Sequence, residues 1–405
     1  MMEPARAGDS TPRAFLRVGG ASLARHQLSL VLAAGCERVV CVARDFGPDL
    51  IALQHEAERG GARFQVIAGA RGLTGLVTAA DDVLVIAEGL LPTTSDALRL
   101  LDGPPAVLVQ PAEAGIPAGY ERIDLNHASA GLMFLPGRLV DRLTELPADA
   151  DPASALLRIA LQAGVTQRSV PDEVRLGGRW LMVRTEDEAD HAEESWMARH
   201  TSGGGATPGP LLARLLVRQF GPALLHDGSG ANGLAITAMV LAFVGFAAAW
   251  FGYVVLGLGF AGVGWVLGRA AALLARIQRE TLSLRSNYPF RQLVFDGLFD
   301  TLLVAILVLA LPALPGELLV QRCFAPVVLI GLVRLLPRGF AAAWTVWAED
   351  RLVLVLVLAV LVLGQVLEPG LPALVAVLLL AGLVLPRDKS AAIAPQSDAD
   401  RLTRA

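Results

Sequence analysis

Asp296 and Asp300 stand four residues apart in VFDGLFDTLL, residues 294–303, near the start of an apolar run long enough to cross a bilayer. On a helix that spacing puts both carboxylates on one face. An aspartate at the centre of a membrane helix costs about 2.5–3.5 kcal/mol on insertion scales, so an intramembrane pair marks a candidate functional site.

The elements that must position this pair follow from the distribution of apolar residues. The chain has 405 residues, of which 54% are hydrophobic and 18% charged. Residues 1 to about 225 mix Arg, Asp, Glu, Gly and Pro with short apolar runs, whereas residues 233–386 are a succession of long apolar segments. A span needs about 20 mostly apolar residues. Candidates lie at 233–251, 252–274, 293–313, 318–336, 351–367 and 370–386, giving an all-α polytopic membrane domain of about six helices, with a range of four to six because the last two are short and split only by Glu368-Pro369-Gly370. Arginines collect on one side of these spans (Arg269, Arg276, Arg279, Arg285 and Arg291, then Arg334, Arg338 and Arg351), and the opposite loops carry almost none. The positive-inside rule then places both termini in the cytoplasm. The opening MMEPARAGDSTPRAF has no apolar core, so no signal peptide is expected. Residues 209–225 read as an amphipathic helix lying in the membrane interface, with Leu211, Leu212, Leu215, Leu216 and Phe220 on one face and Arg214 and Arg218 on the other.

Ahead of the linker TSGGGATPGP, short β-branched runs at 38–43, 63–69, 82–88 and 106–111 alternate with helical patterns at 21–35, 49–61 and 94–103. That alternation predicts an α/β domain with a parallel sheet and ligands at the carboxyl ends of its strands. The net charge of −4 gives no basic excess of the kind duplex binding draws on, so no nucleic-acid partner is expected. Cys36, Cys41 and Cys323 are too few and too scattered for a disulfide framework and read as buried free thiols. The six histidines show no ligand spacing, and TEDEADHAEES, 185–195, reads as a solvated helix face.

Two resemblances sharpen this outline. TPRAFLRVGGASLARHQLSLVLAAGCERVVCVA, with Pro12, Arg13, Leu16, Val18, Gly19 and Leu23 at the matching positions, resembles the opening of the sugar-phosphate nucleotidyltransferases. DDVLVIAEGLLP and SAGLMFLPGRL extend the similarity to about residue 140. It implies a nucleotide such as CTP beside Arg13, with Glu88 nearest the family's Mg²⁺-binding Asp and Asp124 as a further carboxylate. Gly8 alone remains of the phosphate loop.

The second half resembles the CDP-alcohol phosphotransferases, whose signature is Asp-x-x-Asp-Gly-x-x-Ala-Arg followed by Gly-x-x-x-Asp-x-x-x-Asp. ANGLAIT at 231–237 is similar to the start of that family's first span. In GRAAALLAR, 268–276, Ala275-Arg276 match, while Gly268 and Ala271 stand where the first two Asp belong and Ala272 replaces the Gly. Gln292 replaces the next Gly, and Asp296 and Asp300 keep the final spacing. The resemblance implies Mg²⁺ at Asp296 and Asp300, Asp300 as general base, Arg276 on a phosphate, and a CDP-alcohol substrate of phospholipid or polyol-phosphate lipid synthesis. With half the carboxylates missing, three expectations stand: a degenerate transferase, an arginine-rich pocket in which the two Asp pair with Arg276 or Arg291, and two solvated Asp at the interface. The functional alternative is a non-catalytic scaffold or regulatory partner of a complete synthase, or a homodimer, in the inner membrane. The expected boundaries are residues 1–200 for the nucleotidyltransferase-like domain, 201–230 for linker and interfacial helix, 231–387 for the membrane domain, and 388–405 for a disordered tail.

Overall fold

The computed structural model describes residues 12–43, 46–145, 147, 151–202, 207–226, 230–282, 288–312, 318–339 and 343–384. Gly8 and the tail 388–405 lie outside the described residues. The chain divides into two compact units, with the first break after His200.

The first unit opens with a 3₁₀ turn at Arg13–Phe15 and a hairpin of β1 (Arg17–Val18) and β2 (Ala21–Ser22). It continues through α1 (Leu23–Ala33), β3 (Arg38–Val42), α2 (Pro48–Arg59), β4 (Arg63–Ile67), β5 (Asp82–Ile86), β6 (Leu90–Pro92), α3 (Thr94–Leu101) and β7 (Ala106–Pro111). Then come α4 (Ala112–Gly115), β8 (His127–Pro136), α5 (Pro152–Gln162), β9 (Thr166–Ser169), α6 (Asp172–Leu176), β10 (Trp180–Met182) and α7 (Glu186–Ser202). Every strand and helix expected from the alternating runs forms within a few residues of its expected bounds.

A single parallel sheet does not form. β3 and β4 pair in parallel as a separate ribbon, while the larger sheet has the order β5-β8-β7-β9 with only β7 and β9 parallel. β8 is the element the alternation did not reveal. It is almost wholly buried and runs antiparallel to both neighbours. The link from β7 holds only the four-residue α4, too little helix for a crossover, so the chain turns back beside the strand it has left. At Gly131, φ +78°, the ladder between β7 and β8 shifts register, and the neighbouring Ala130 carbonyl accepts the indole N–H of Trp180 at 2.8 Å.

Gly19 and Gly20, φ +62° and +78°, form the tight turn of the first hairpin. A Cβ on Gly19 would lie 2.5 Å from the ring of Trp196 on α7, so the glycine is required by both backbone and packing. Trp196 also stacks on His200 at 4.0 Å and meets His26 edge-on. α7 is two-faced: Glu186, Asp187, Asp190, His191 and Glu194 form the solvated face expected of 185–195, while Ala189, Ala192, Glu193, Trp196 and Met197 are buried on the other. The three cysteines are free but half-buried rather than fully buried.

The second unit is helical: α8 (Pro208–His226), α9 (Gly230–Trp250), α10 (Val254–Leu282), α11 (Tyr288–Ala310), α12 (Leu319–Gly339), α13 (Ala343–Glu349), α14 (Arg351–Leu363) and α15 (Leu367–Val384). Five of these are long and apolar enough to span, at Gly230–Trp250, Val254–Gln278, Arg291–Ala310, Leu319–Pro337 and Leu367–Val384. The chain is thus a multi-pass membrane protein, with five candidate spans among the described residues, inside the expected range of four to six and one short of the count of six. The difference is α14, whose 13 residues rise about 20 Å against a ~30 Å hydrocarbon layer. Gly364 caps it, and Gln365 at φ +57° turns the chain directly into α15.

Small residues let these helices approach. Gly257 meets Gly245 and Ala249, and Gly264 meets Ala238 and Ala242, bringing the α9 and α10 backbones into contact. Trp265, Phe299, Leu303, Ile306, Leu329, Val355 and Leu358 fill the common core. Outward-facing Val240, Phe243, Leu256, Phe260, Leu293 and Val360 give the unit the apolar surface that a bilayer covers.

The first unit carries a titration consequence. Burial pushes the His26 imidazole down to about 4 from 6.5, opposed by its 2.9 Å bond to the Val18 carbonyl and helped by nearby His200 and Arg25. As pH falls through 6.5 the unfolded chain takes up a proton that folded His26 refuses until about pH 4, so stability declines over that window. The loss is on the order of 3 kcal/mol. Hydrogen exchange in α1 measured across this range is expected to show that slope, flattened in His26→Leu.

Candidate functional site

The site around the aspartate pair is built by α10, α11, α12 and α14. Phe295, Asp296, Phe299 and Asp300 share a face of α11 because they fall at helical spacing. Phe299 and Asp300 are buried, and Asp296 is half-buried. The Asp300 carboxylate meets two guanidiniums. Arg351 grips it bidentately, Nε donating to Oδ1 and Nη2 to Oδ2, each at 3.1 Å. Arg334 Nε donates to Oδ2 at 2.5 Å. Arg351 Nη1 adds a bond to the Glu349 carbonyl.

The pairing expected with Arg276 or Arg291 is therefore corrected. Arg291 donates to Asn232 Oδ1 at 3.2 Å, and Arg276 is exposed near the end of α10. The partners that matter, Arg334 and Arg351, were visible in the sequence only as orientation signals. Their position relative to Asp300 is a tertiary fact: Arg334 sits in the last turns of α12 and Arg351 opens α14. Asp296 makes no hydrogen bond or ion pair among the described residues. Its electrostatic neighbours are Arg269, Arg351, Asp300 and Arg334. Trp265 lies beneath two of these arginines, 5.6 Å from Arg269 and 5.8 Å from Arg351.

The opposite wall decides whether Mg²⁺ fits. At Gly268, where the resemblance requires a carboxylate, an added Cβ would collide with the ring of Phe295. Ala271 is buried and offers no oxygen. Phe295 stacks at 6.5 Å on Phe299, which packs at 5.0 Å on Trp265, so an aromatic wall fills the space of the missing ligands. No group of three or more His, Cys, Asp or Glu side chains among the described residues is placed to hold a metal. A two-metal clamp needs carboxylates on both sides of the bound phosphates. The residues present do not fit one, and no chemical step is derived through it.

Asp350, beside Arg351, was not singled out in the sequence. Its Oδ1 caps α14 through Leu352 N–H at 3.0 Å, and its Oδ2 accepts the Gly209 N–H of α8 at 2.7 Å. One buried carboxylate thus caps two helices. α8 docks through Ala213 and Val217 and leaves Leu211, Leu212, Leu215 and Phe220 exposed. That is the face expected to enter the membrane interface.

In the α/β unit, the structure brings the Arg13 turn and Glu88 together: the Ala14 N–H reaches Glu88 Oε1 at 3.4 Å. Both Ala14 and Glu88 line a cleft of about 1010 Å³ that runs along the length of β3 and β5 and is not confined to the carboxyl ends of the strands, where a ligand was expected. Asp124 is committed to its own loop, where the Asn126 and His127 backbone N–H groups hold its carboxyl below the usual range.

The ion cluster predicts an asymmetry between the two aspartates. Asp300→Asn leaves two guanidiniums without their counter-charge and is expected to cost about 3–5 kcal/mol. Asp296→Asn is expected to leave the melting temperature of detergent-solubilised protein nearly unchanged. Gly268→Asp, the substitution that restores the first missing carboxylate, is expected to lower that temperature and to create no Mg²⁺ binding by calorimetry.

No protein-family model matches the chain, and no curated protein sequence matches it.

Proposed function

We propose that this chain is a non-catalytic scaffold of the inner membrane, built on a CDP-alcohol phosphotransferase-like frame, that serves a complete synthase of phospholipid or polyol-phosphate lipid synthesis. The observation supporting this most directly is the engagement of Asp300. A general base needs a free lone pair within reach of the attacking hydroxyl. Asp300 accepts three guanidinium bonds, two at Oδ2 and one at Oδ1, so most of its roughly four acceptor sites are taken up in holding arginines. The carboxylate acts as a structural tie between α11, α12 and α14. The nucleotidyltransferase-like unit is proposed to retain a frame for partner recognition while transferring no nucleotide.

The arginine distribution supports an orientation with both termini cytoplasmic. Arg334 and Arg351 bring the end of α12 and the start of α14 to one level, which the positive-inside rule assigns to the cytoplasmic face. One observation favours a second reading, a degenerate transferase. Asp296 keeps its oxygens uncommitted among the described residues, and one carboxylate plus substrate phosphates can hold a single Mg²⁺.

Proteoliposomes of the full chain supplied with Mg²⁺, a CDP-alcohol and acceptor alcohols distinguish the two. The expected result is no CMP release above that of empty vesicles. Turnover that Asp300→Asn abolishes while the protein remains folded would establish the transferase instead.

A further inference from the structure

Among the described residues, the ionic cluster of the membrane unit is unbalanced. Arg269, Arg334 and Arg351 face Asp296 and Asp300, leaving one positive charge. Asp350 does not cancel it, because that carboxylate is taken up by the N-terminal N–H groups of α8 and α14. The surplus has a location. Arg334 Nε holds Asp300, but Arg334 Nη2 is buried and has no hydrogen-bond partner among the described residues. It faces Gly297, where an added Cβ would find Nη2 at 4.0 Å and no other atom that near. Arg269 has no carboxylate within ion-pair distance among the described residues; it lies over Trp265 and interacts with Asp296 through space.

We infer that Arg269 and Arg334, with Asp296, form a binding site for a singly protonated phosphomonoester. The argument is one of matching donors and acceptors. A buried guanidinium N–H requires an acceptor, and phosphate oxygens suit the planar donor fork. A monoanion matches the single surplus charge. Asp296 selects among phosphates: it would repel a phosphodiester, which has no proton to offer, but it accepts a hydrogen bond from the P–OH of a phosphomonoester. Gly297 places no side chain against Nη2. The same chemistry is carried by a phosphatidic acid headgroup and by soluble phosphate, and the Arg334 side chain, 31% exposed, is approached by either. This inference rests on the scaffold reading, in which the space beside Asp296 holds no metal.

The test reads binding rather than turnover, so its outcome is separate from that of the transferase assay. The full chain in detergent is titrated with dioctanoyl phosphatidic acid, dioctanoyl phosphatidylglycerol and inorganic phosphate, followed by thermal shift and native mass spectrometry. The expected result is a preference of about tenfold or more for phosphatidic acid over the diester, the size of one charged hydrogen bond. Arg269→Gln, which leaves the Arg334–Asp300–Arg351 tie intact, is expected to weaken binding about tenfold. Asp296→Asn is expected to let phosphatidylglycerol bind nearly as well. Inorganic phosphate binding as tightly as phosphatidic acid, with the same loss in Arg269→Gln, would support the site and assign it to the soluble source. Equal binding of both lipids by the native protein, or binding indifferent to Arg269→Gln, would overturn it.

Discussion

A carboxylate carried into an apolar helix must be neutralised by groups carried in with it, and in this chain Asp300 fixes where three helices meet. Its desolvation is tolerable only because Arg351 and Arg334 complete its hydrogen bonds. The consequence extends along the chain. Arg351 is the first residue of α14, so holding it at Asp300 sets the level at which that helix begins. Asp350, one residue earlier, is thereby placed to cap α14 and to draw in Gly209 at the start of α8. A tie in the apolar core therefore positions a helix that leaves Leu211, Leu212 and Leu215 exposed.

The same neighbourhood shows why packing and chemistry are alternatives here. A metal clamp across α10 and α11 needs oxygens on both helices and water between them. Gly268 lets Phe295 close that gap, and the ring continues through Phe299 to Trp265 as an apolar wall. The charge of Asp300 is balanced by the guanidiniums of α12 and α14.

What was legible in the sequence followed from local periodicity. The helices at 23–33, 48–59 and 94–101 and the strands at 38–42, 63–67, 82–86 and 106–111 form where apolar spacing places them. Five of six expected spans are long enough to cross, and α14 falls short because Gly364 and Gln365 end it early. β8 escaped because Ser129, Ala130 and Gly131 lack the β-branched character of its neighbours, and burial on both faces removes any alternation. The partners of Asp300 escaped for a different reason. They lie 34 and 51 residues away, and an arginine near the end of a span reads equally well as a topology signal.

The two units, each taken alone, use carboxylates in the same way. In the membrane unit Asp300 ties helices together. In the α/β unit Asp124 organises its own loop through the Asn126 and His127 N–H groups, and Glu88 accepts the Ala14 N–H at the turn after Arg13. The polar groups left without such employment, Asp296 and the buried Nη2 of Arg334, stand together at the edge of one cluster, and it is there that the membrane unit retains a capacity to bind.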